Sequence, residues 1–196
     1  MRTAYIGMGA NLASAVGPPA NTLAAAAVRL AALGRVVRRS ALYSTAPVGY
    51  AEQPRFTNAV IALETKLSPF ELLGALLMTE QEFGRDRIHS FTNGPRTLDL
   101  DILLMGDLNL HEAQLDIPHP RLAERAFVLV PLNEIAPQLP VPGQHATVAQ
   151  LLERLRLHDE GDAYAVVPVE DEIWRSGMDT GGAAALRGAG QPDADG

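Results

Sequence analysis

Residues 56–65 alternate strictly: Asn58, Val60, Ala62 and Glu64 fall on one face of a strand, and Thr57, Ala59, Ile61 and Leu63 on the other. The same two-residue period predicts strands over 3–8 and 36–43. It also predicts one through Leu98, Asp99, Leu100, Asp101 and Ile102. The apolar run at about 127–132 reads as a further strand. Helical spacing predicts an Ala/Leu-rich helix over about 20–33, closed by Gly34, and a helix over about 147–156. Ser68-Pro69-Phe70-Glu71 carries an N-cap, a proline at the first helical position and an acid three residues after the cap. That helix is predicted to run to Phe83 and stop at Gly84. Two long, polar, Pro/Gly-punctuated loops remain, 44–55 and 85–97, and loops this long are uncommon without a function.

The order strand–helix–strand–strand–helix–strand is the split β-α-β pattern of ferredoxin-like folds. The expectation is therefore an α+β domain with an antiparallel sheet and helices packed on one face of it. One domain is expected over residues 1–175, followed by a small C-terminal extension, 176–196. That extension is Gly/Ala/Asp-rich, poor in large apolar groups and expected to be disordered.

Charge changes the picture once it is mapped. Residues 1–158 carry 14 Asp/Glu and 14 Lys/Arg, so the whole net charge of −7 falls on 159–196. A neutral body is not a basic nucleic-acid binder. Its arginines cluster at Arg85/Arg87/Arg96 and Arg121/Arg125, which suits a small anionic ligand better than a long polyanion. No run approaches 18 apolar residues and no leader-like start is visible, so no membrane partner is expected. Cysteine is absent, which excludes disulfides and thiolate metal sites and fits a cytoplasmic protein.

The candidate chemistry lies at 94–104, Gly-Pro-Arg-Thr-Leu-Asp-Leu-Asp-Ile-Leu-Leu. On a strand, Asp99 and Asp101 share one face, with backbones roughly 6.5–7 Å apart. Two carboxylates that close repel unless a cation lies between them. Magnesium suits the pair, because it takes one or two carboxylates and fills its other positions with water and phosphate oxygens. Asp is disfavoured in strands, so two on one face opposite aliphatics favour a site over a merely solvated edge. Gly7-Met8-Gly9 is neither a dinucleotide fingerprint nor a phosphate loop, because Leu12 stands at the third glycine position and no Gly-Lys-Ser/Thr follows.

The chain resembles the 6-hydroxymethyl-7,8-dihydropterin pyrophosphokinases of folate biosynthesis through five segments in order. They are Ala4–Leu12 with its Gly9-Ala10-Asn11; Tyr43–Gly49 with Gln53-Pro54 and Phe56-Thr57-Asn58; Glu80 with Phe83-Gly84-Arg85; Gly94–Ile102; and Ile117–Arg121 with Glu124–Leu129 and Pro131-Leu132. The resemblance implies transfer of the β,γ-diphosphate of ATP to a pterin hydroxymethyl group, with two magnesium ions and a monomeric enzyme. It implies Asp99 and Asp101 as metal ligands. It implies Thr45, Val48, Phe56, Asn58 and Phe127 as the pterin pocket, and Arg85, Arg96, His119 and Arg125 as phosphate and nucleotide contacts. Leu77, Glu80 and Ile102 fall where the family lines its pterin–nucleotide cleft. The two long loops are expected to close over the ligands and exclude water.

Two departures stand out. Asn93 occupies the position before Gly-Pro-Arg where some relatives carry a bulky aromatic, with Phe91 two residues earlier. Gln114 and Asp116 replace an Arg/Thr pair of some relatives. Two rival readings are an Asp-x-Asp nucleotide-sugar transferase and a non-catalytic ferredoxin-like ligand-binding module. The first has a longer nucleotide-binding half than this chain offers, and the second has no need of paired carboxylates beside several arginines.

Overall fold

A computed structural model of the chain describes residues 1–86, 93–158 and 166–179. In order these form β1 (Arg2–Ala10), α1 (Pro19–Leu30), β2 (Arg35–Arg39), β3 (Leu42–Thr45), β4 (Phe56–Thr65), α2 (Pro69–Glu82) and β5 (Asp99–Met105). There follow β6 (Leu110–Glu112), β7 (Leu115–Ile117), α3 (Ala126–Ile135), β8 (Pro140–Val141), β9 (Ala146–Thr147), α4 (Val148–His158), β10 (Val167–Val169) and α5 (Glu172–Asp179).

The main sheet is antiparallel in the order β10-β3-β4-β1-β5, with β2 also lying along β4. The long β1–β4 pair forms its spine, from Arg2↔Thr65 to Ala10↔Thr57. The α+β architecture expected from the sequence is present, but helices cover both faces rather than one. Ala4, Ile6, Met8, Ala59, Ile61, Leu63, Leu100 and Ile102 pack in one cluster with buried residues of α1 and α2 and with Trp174 of α5. Val60, Ala62 and Leu103 pack on the opposite face with α3 and α4. Adjacent residues of β4 enter different clusters, as the period of two requires.

The α2 start follows its sequence signal: Ser68 Oγ accepts from the Glu71 amide, and the Glu71 carboxylate accepts from the Ser68 amide at 2.8 Å. Three further expectations are corrected. The apolar run at 127–132 is helical, part of α3, not a strand. It is buried on nearly every side, and such a run has no period that separates strand from helix. The strand expected at 36–43 is split into β2 and β3 by a break at Ser40-Ala41. Finally, residues 176–179 complete α5, so the expected tail boundary at 176 falls inside a helix. Residues 180–196 lie outside the described residues.

Candidate functional site

The site is built on a glycine-lined stretch of the central strand. Gly9 of β1 stands opposite Asn58 of β4 on one side and Asp99 of β5 on the other; Gly7 stands between Val60 and Asp101. A Cβ at Gly9 would lie 3.0 Å from Asn58 Oδ1 and 3.9 Å from Asp99 Cβ. Glycine therefore lowers the floor between an amide and a carboxylate that both face upward. Above it lies a cavity of about 250 Å³ lined by Thr45, Ala46, Val48, Phe56, Asn58, Asn93, Arg96, Asp99, Asp101, His119, Arg121, Arg125 and Phe127.

The carboxylates hold the centre of the charge pattern. Asp99 is gripped from two sides, by Arg85 Nη1 at 2.6 Å and Arg96 Nη1 at 3.1 Å. Arg85 also donates to the Leu98 carbonyl at 2.7 Å, which fixes the guanidinium at the end of the strand. Asp101 has a different environment. Burial first, and then the neighbouring Asp99 charge, push its carboxyl up to about 6. A cation between the two would relieve the repulsion and repay the lost solvation. The donors are all oxygen, and among the described residues no third Asp, Glu, His or Cys completes a protein cage. That donor set fits magnesium, which takes its other ligands from water and phosphate.

The walls divide into two kinds. On one side, Asn58 Nδ2 donates to Thr45 Oγ1 at 2.8 Å, which fixes the amide so that Oδ1 lies over Gly9. The rings of Phe56 and Phe127 flank this corner, each carrying a guanidinium. Arg96 sits 5.2 Å from the Phe56 centroid and Arg125 5.5 Å from that of Phe127. On the other side lie His119, Arg121 and Arg125. β5 carries a bulge near Leu103, and the Leu103 carbonyl accepts from the His119 amide at 2.9 Å. The Arg121 amide donates to His119 Nδ1 at 3.1 Å. Burial, then Arg125 and Arg121, lower the imidazole to about 4. The ring is thus neutral at pH 7 with its hydrogen assigned to Nε2, a donor.

The two long loops meet through Asn11. Its Nδ2 donates to Gln53 Oε1 and to the Pro54 carbonyl, both at 3.0 Å, and its Oδ1 accepts from the Arg96 amide at 2.7 Å. Gln53 Nε2 donates to the Asn93 carbonyl at 2.8 Å. Asn93 itself is left-handed, with φ 61°, a conformation asparagine tolerates. Phe91 and Arg87 lie outside the described residues.

Every residue expected in the pterin pocket lines this cavity, as do Arg96, Asp99, Asp101, His119 and Arg125. Arg85 reaches it through Asp99. Leu77, Glu80 and Ile102 do not line it. Ile102 faces the opposite side of β5, in the cluster that buries α2. Glu80 is fully buried, and its carboxylate accepts from the Leu100 amide at 2.8 Å on the open edge of β5. Leu77 lies on α2, half-buried. Sequence reasoning did not place Gly9, Ala46 or Asn93 as lining residues, and it placed Arg121 only in an arginine cluster suited to an anionic ligand, with no role in the site. Arg121 pairs with Glu124, at 3.5 Å, and also lines the cavity. The Gly-x-Gly on an alternating strand was the available signal for Gly9.

The profile of the 7,8-dihydro-6-hydroxymethylpterin-pyrophosphokinases (HPPK) matches residues 5–137. The chain is 42% identical over 168 residues to the 2-amino-4-hydroxy-6-hydroxymethyldihydropteridine pyrophosphokinase of Synechocystis, covering 85% of this chain and 80% of that one. It is 45% identical over 144 residues to the enzyme of the same name from Pseudomonas aeruginosa, covering 72% and 85%. Among solved structures, a triple mutant of Plasmodium falciparum HPPK-DHPS with STZ-DHP superposes with a TM-score of 0.65 at 14% identity. It covers 87% of this chain but only 47% of that longer one, and it bears on the fold alone. The chain belongs to the HPPK family.

Proposed function

We infer that the cavity over Gly9 is where this chain performs its family's reaction, and that its residues divide the work as follows. The enzyme transfers the β,γ-diphosphate of ATP to the hydroxymethyl group of 6-hydroxymethyl-7,8-dihydropterin, giving AMP and the pterin diphosphate for folate biosynthesis. The hydroxymethyl oxygen attacks the β-phosphorus. The bond from that phosphorus to the α–β bridging oxygen breaks, AMP departs with that oxygen, and the hydroxyl proton is lost.

The pterin lies in the corner of Thr45, Val48, Phe56, Asn58 and Phe127. A flat heterocycle suits a slot between two rings, and the fixed Asn58 amide gives one side of it a defined acceptor. The triphosphate lies toward Arg96, His119, Arg121 and Arg125. Guanidinium groups spread the charge that develops on the transferring phosphates, and the neutral His119 adds an Nε2–H donor. Arg85 and Arg96 hold the Asp99 carboxylate in place. Asp99 and Asp101 would hold magnesium, two ions with the nucleotide bound. When bound, the metal neutralises phosphate charge and lowers the pKa of an oxygen it contacts. The loops joined through Asn11 exclude water that would otherwise compete with the pterin for ATP.

The observation that carries this reading is the convergence of Asn58, Asp99 and Asp101 on one glycine-floored surface ringed by arginines. The test is product analysis with ATP, magnesium and hydroxymethyldihydropterin. AMP and pterin diphosphate are expected; ADP as product, or binding without turnover, overturns the assignment. In the same reading the chain acts in the cytoplasm as a monomer without a nucleic-acid partner, and sedimentation at micromolar concentration checks the monomer. Among the described residues no helix is long and apolar enough to cross a membrane.

A further inference from the structure

The outer edge of the sheet is interrupted where it matters for the pterin. β2 and β3 both pair with β4, but between them the Val60 amide donates to the side-chain hydroxyl of Ser40, at 2.9 Å, instead of to a strand carbonyl. The Ser40 carbonyl is thereby released, and it accepts from Trp174 Nε1 at 2.8 Å. Trp174 belongs to α5, 134 residues further along the chain, and is only 2% exposed. Its own amide is held by Asp171 Oδ1 at 2.8 Å, and the Arg39 guanidinium lies 5.4 Å from its ring centroid. The strand just before this helix, β10, pairs with β3 from Val167↔Ser44 to Val169↔Leu42. On its other side β3 pairs with β4, ending at Thr45↔Phe56. The strap formed by β10 and α5 lies outside residues 5–137, the part of the chain that the family profile matches.

We propose that Trp174 is a positioning residue for the pterin, acting through the Ser40 carbonyl and β3 on the Thr45–Asn58 pair. The inference rests on the pterin occupying the Asn58 corner of the cavity. β3 has four residues and three register pairs with β4; without the strap it becomes a short edge strand, and such edges fray. Thr45 is its last residue and supplies the hydroxyl that fixes the Asn58 amide. Loss of that contact frees the amide to turn and present Nδ2 instead of Oδ1, which scrambles the donor–acceptor pattern a pterin must match. The phosphate side is held differently. Arg96 is set by Asn11, and His119 by the Leu103 carbonyl. None of these contacts involves the strap, so its loss acts on one substrate only.

Steady-state kinetics on the full-length chain test this, with Asn58→Ala as the reference for a damaged pterin corner. Trp174→Phe keeps a ring but lacks the N–H, and is expected to raise the pterin KM about threefold; Trp174→Ala is expected to raise it about tenfold. The ATP KM stays within about twofold in both, since the phosphate contacts are untouched. A strap that served stability alone would lower the active fraction, and hence the apparent kcat, and leave both KM values alone. Amide hydrogen exchange at Ser44 and Thr45 is expected to speed up in both variants. If Trp174→Ala does not fold, Trp174→Phe decides by itself. An unchanged pterin KM in the Trp174 variants, or an equal rise in both KM values, overturns the proposal when Asn58→Ala raises the pterin KM. An unchanged pterin KM in Asn58→Ala instead overturns the pocket assignment, and the proposal with it.

Discussion

On the face of the sheet that carries α3, Val60, Ala62 and Leu103 are at most 2% exposed and pack under Val128, Leu129 and Leu132. Two to four residues away along the same strands, Asn58, Asp99 and Asp101 open into the cavity. The two stretches share strands, register and covering helix, yet they do opposite things for the fold. The apolar stretch stabilises by burial. The polar one costs stability, because it holds Asp101 where burial and Asp99 both oppose its charge. The chain accepts that cost beside a fully buried apolar surface, whose packing resists the shifts that would relieve it. A rigid base keeps two repelling groups at a fixed spacing, as a preorganised charge site needs.

The largest expected effect lies on the polar side. Asp101→Asn should lower kcat at least about 10³-fold, since it removes half of the carboxylate pair. In magnesium-free buffer at pH 7 the same change should raise stability, by about 2 kcal/mol. Turnover assays and denaturant melts check the two halves, and a drop in both would erase the contrast between the stretches. On the apolar side the signs reverse. Leu132→Ala, at a fully buried position, should cost about 3 kcal/mol of stability. Its kcat and both KM values should stay near wild type when corrected for the folded fraction. At the boundary, Asn58→Ala should raise the pterin KM about tenfold, with little change in the ATP KM.

The change that is smallest per unit of the variable is a pH slope. Between about pH 4 and 6, folded Asp101 holds a proton that its unfolded form, near 3.8, has lost; this favours the folded state as pH falls. His119 works the other way, because its unfolded form, near 6.5, takes up a proton that the folded ring, near 4, refuses. The two contributions cancel across that window. Asp101→Asn should unmask His119, so that stability of the metal-free enzyme falls by about 1.4 kcal/mol for each unit of pH lost. Urea midpoints at several pH values measure it; parallel profiles for wild type and variant would refute the opposition.

Local periodicity made much of this legible. The Asp99/Asp101 face, the Asn58 face of β4, the α2 capping box and the α+β class all follow from spacing within a few residues. What failed to show has a common physical cause. The run at 127–132 is apolar on nearly every side, so no period marks it as helix, and Pro131 inside it argues against one. At the Ser40 break the released carbonyl is met by a tryptophan 134 residues further along the chain, and no local signal can announce that contact. Gly9 belongs to no nucleotide-binding motif in the sequence, and only the register sets it between Asn58 and Asp99. Arg121 shows in the sequence only as a local partner of Arg125; the cavity beside it is assembled from distant strands.

The floor at Gly9 also bears on how the site can change over generations. Most binding surfaces are side chains and can be trimmed, recharged or swapped one at a time. This floor is main chain. Substitution there can only add atoms, and the first added carbon already meets Asn58 Oδ1 at 3.0 Å. An inhibitor that rested its weight on this backbone would therefore leave the enzyme few routes to resistance, because a substitution that displaced the drug would also displace the substrate.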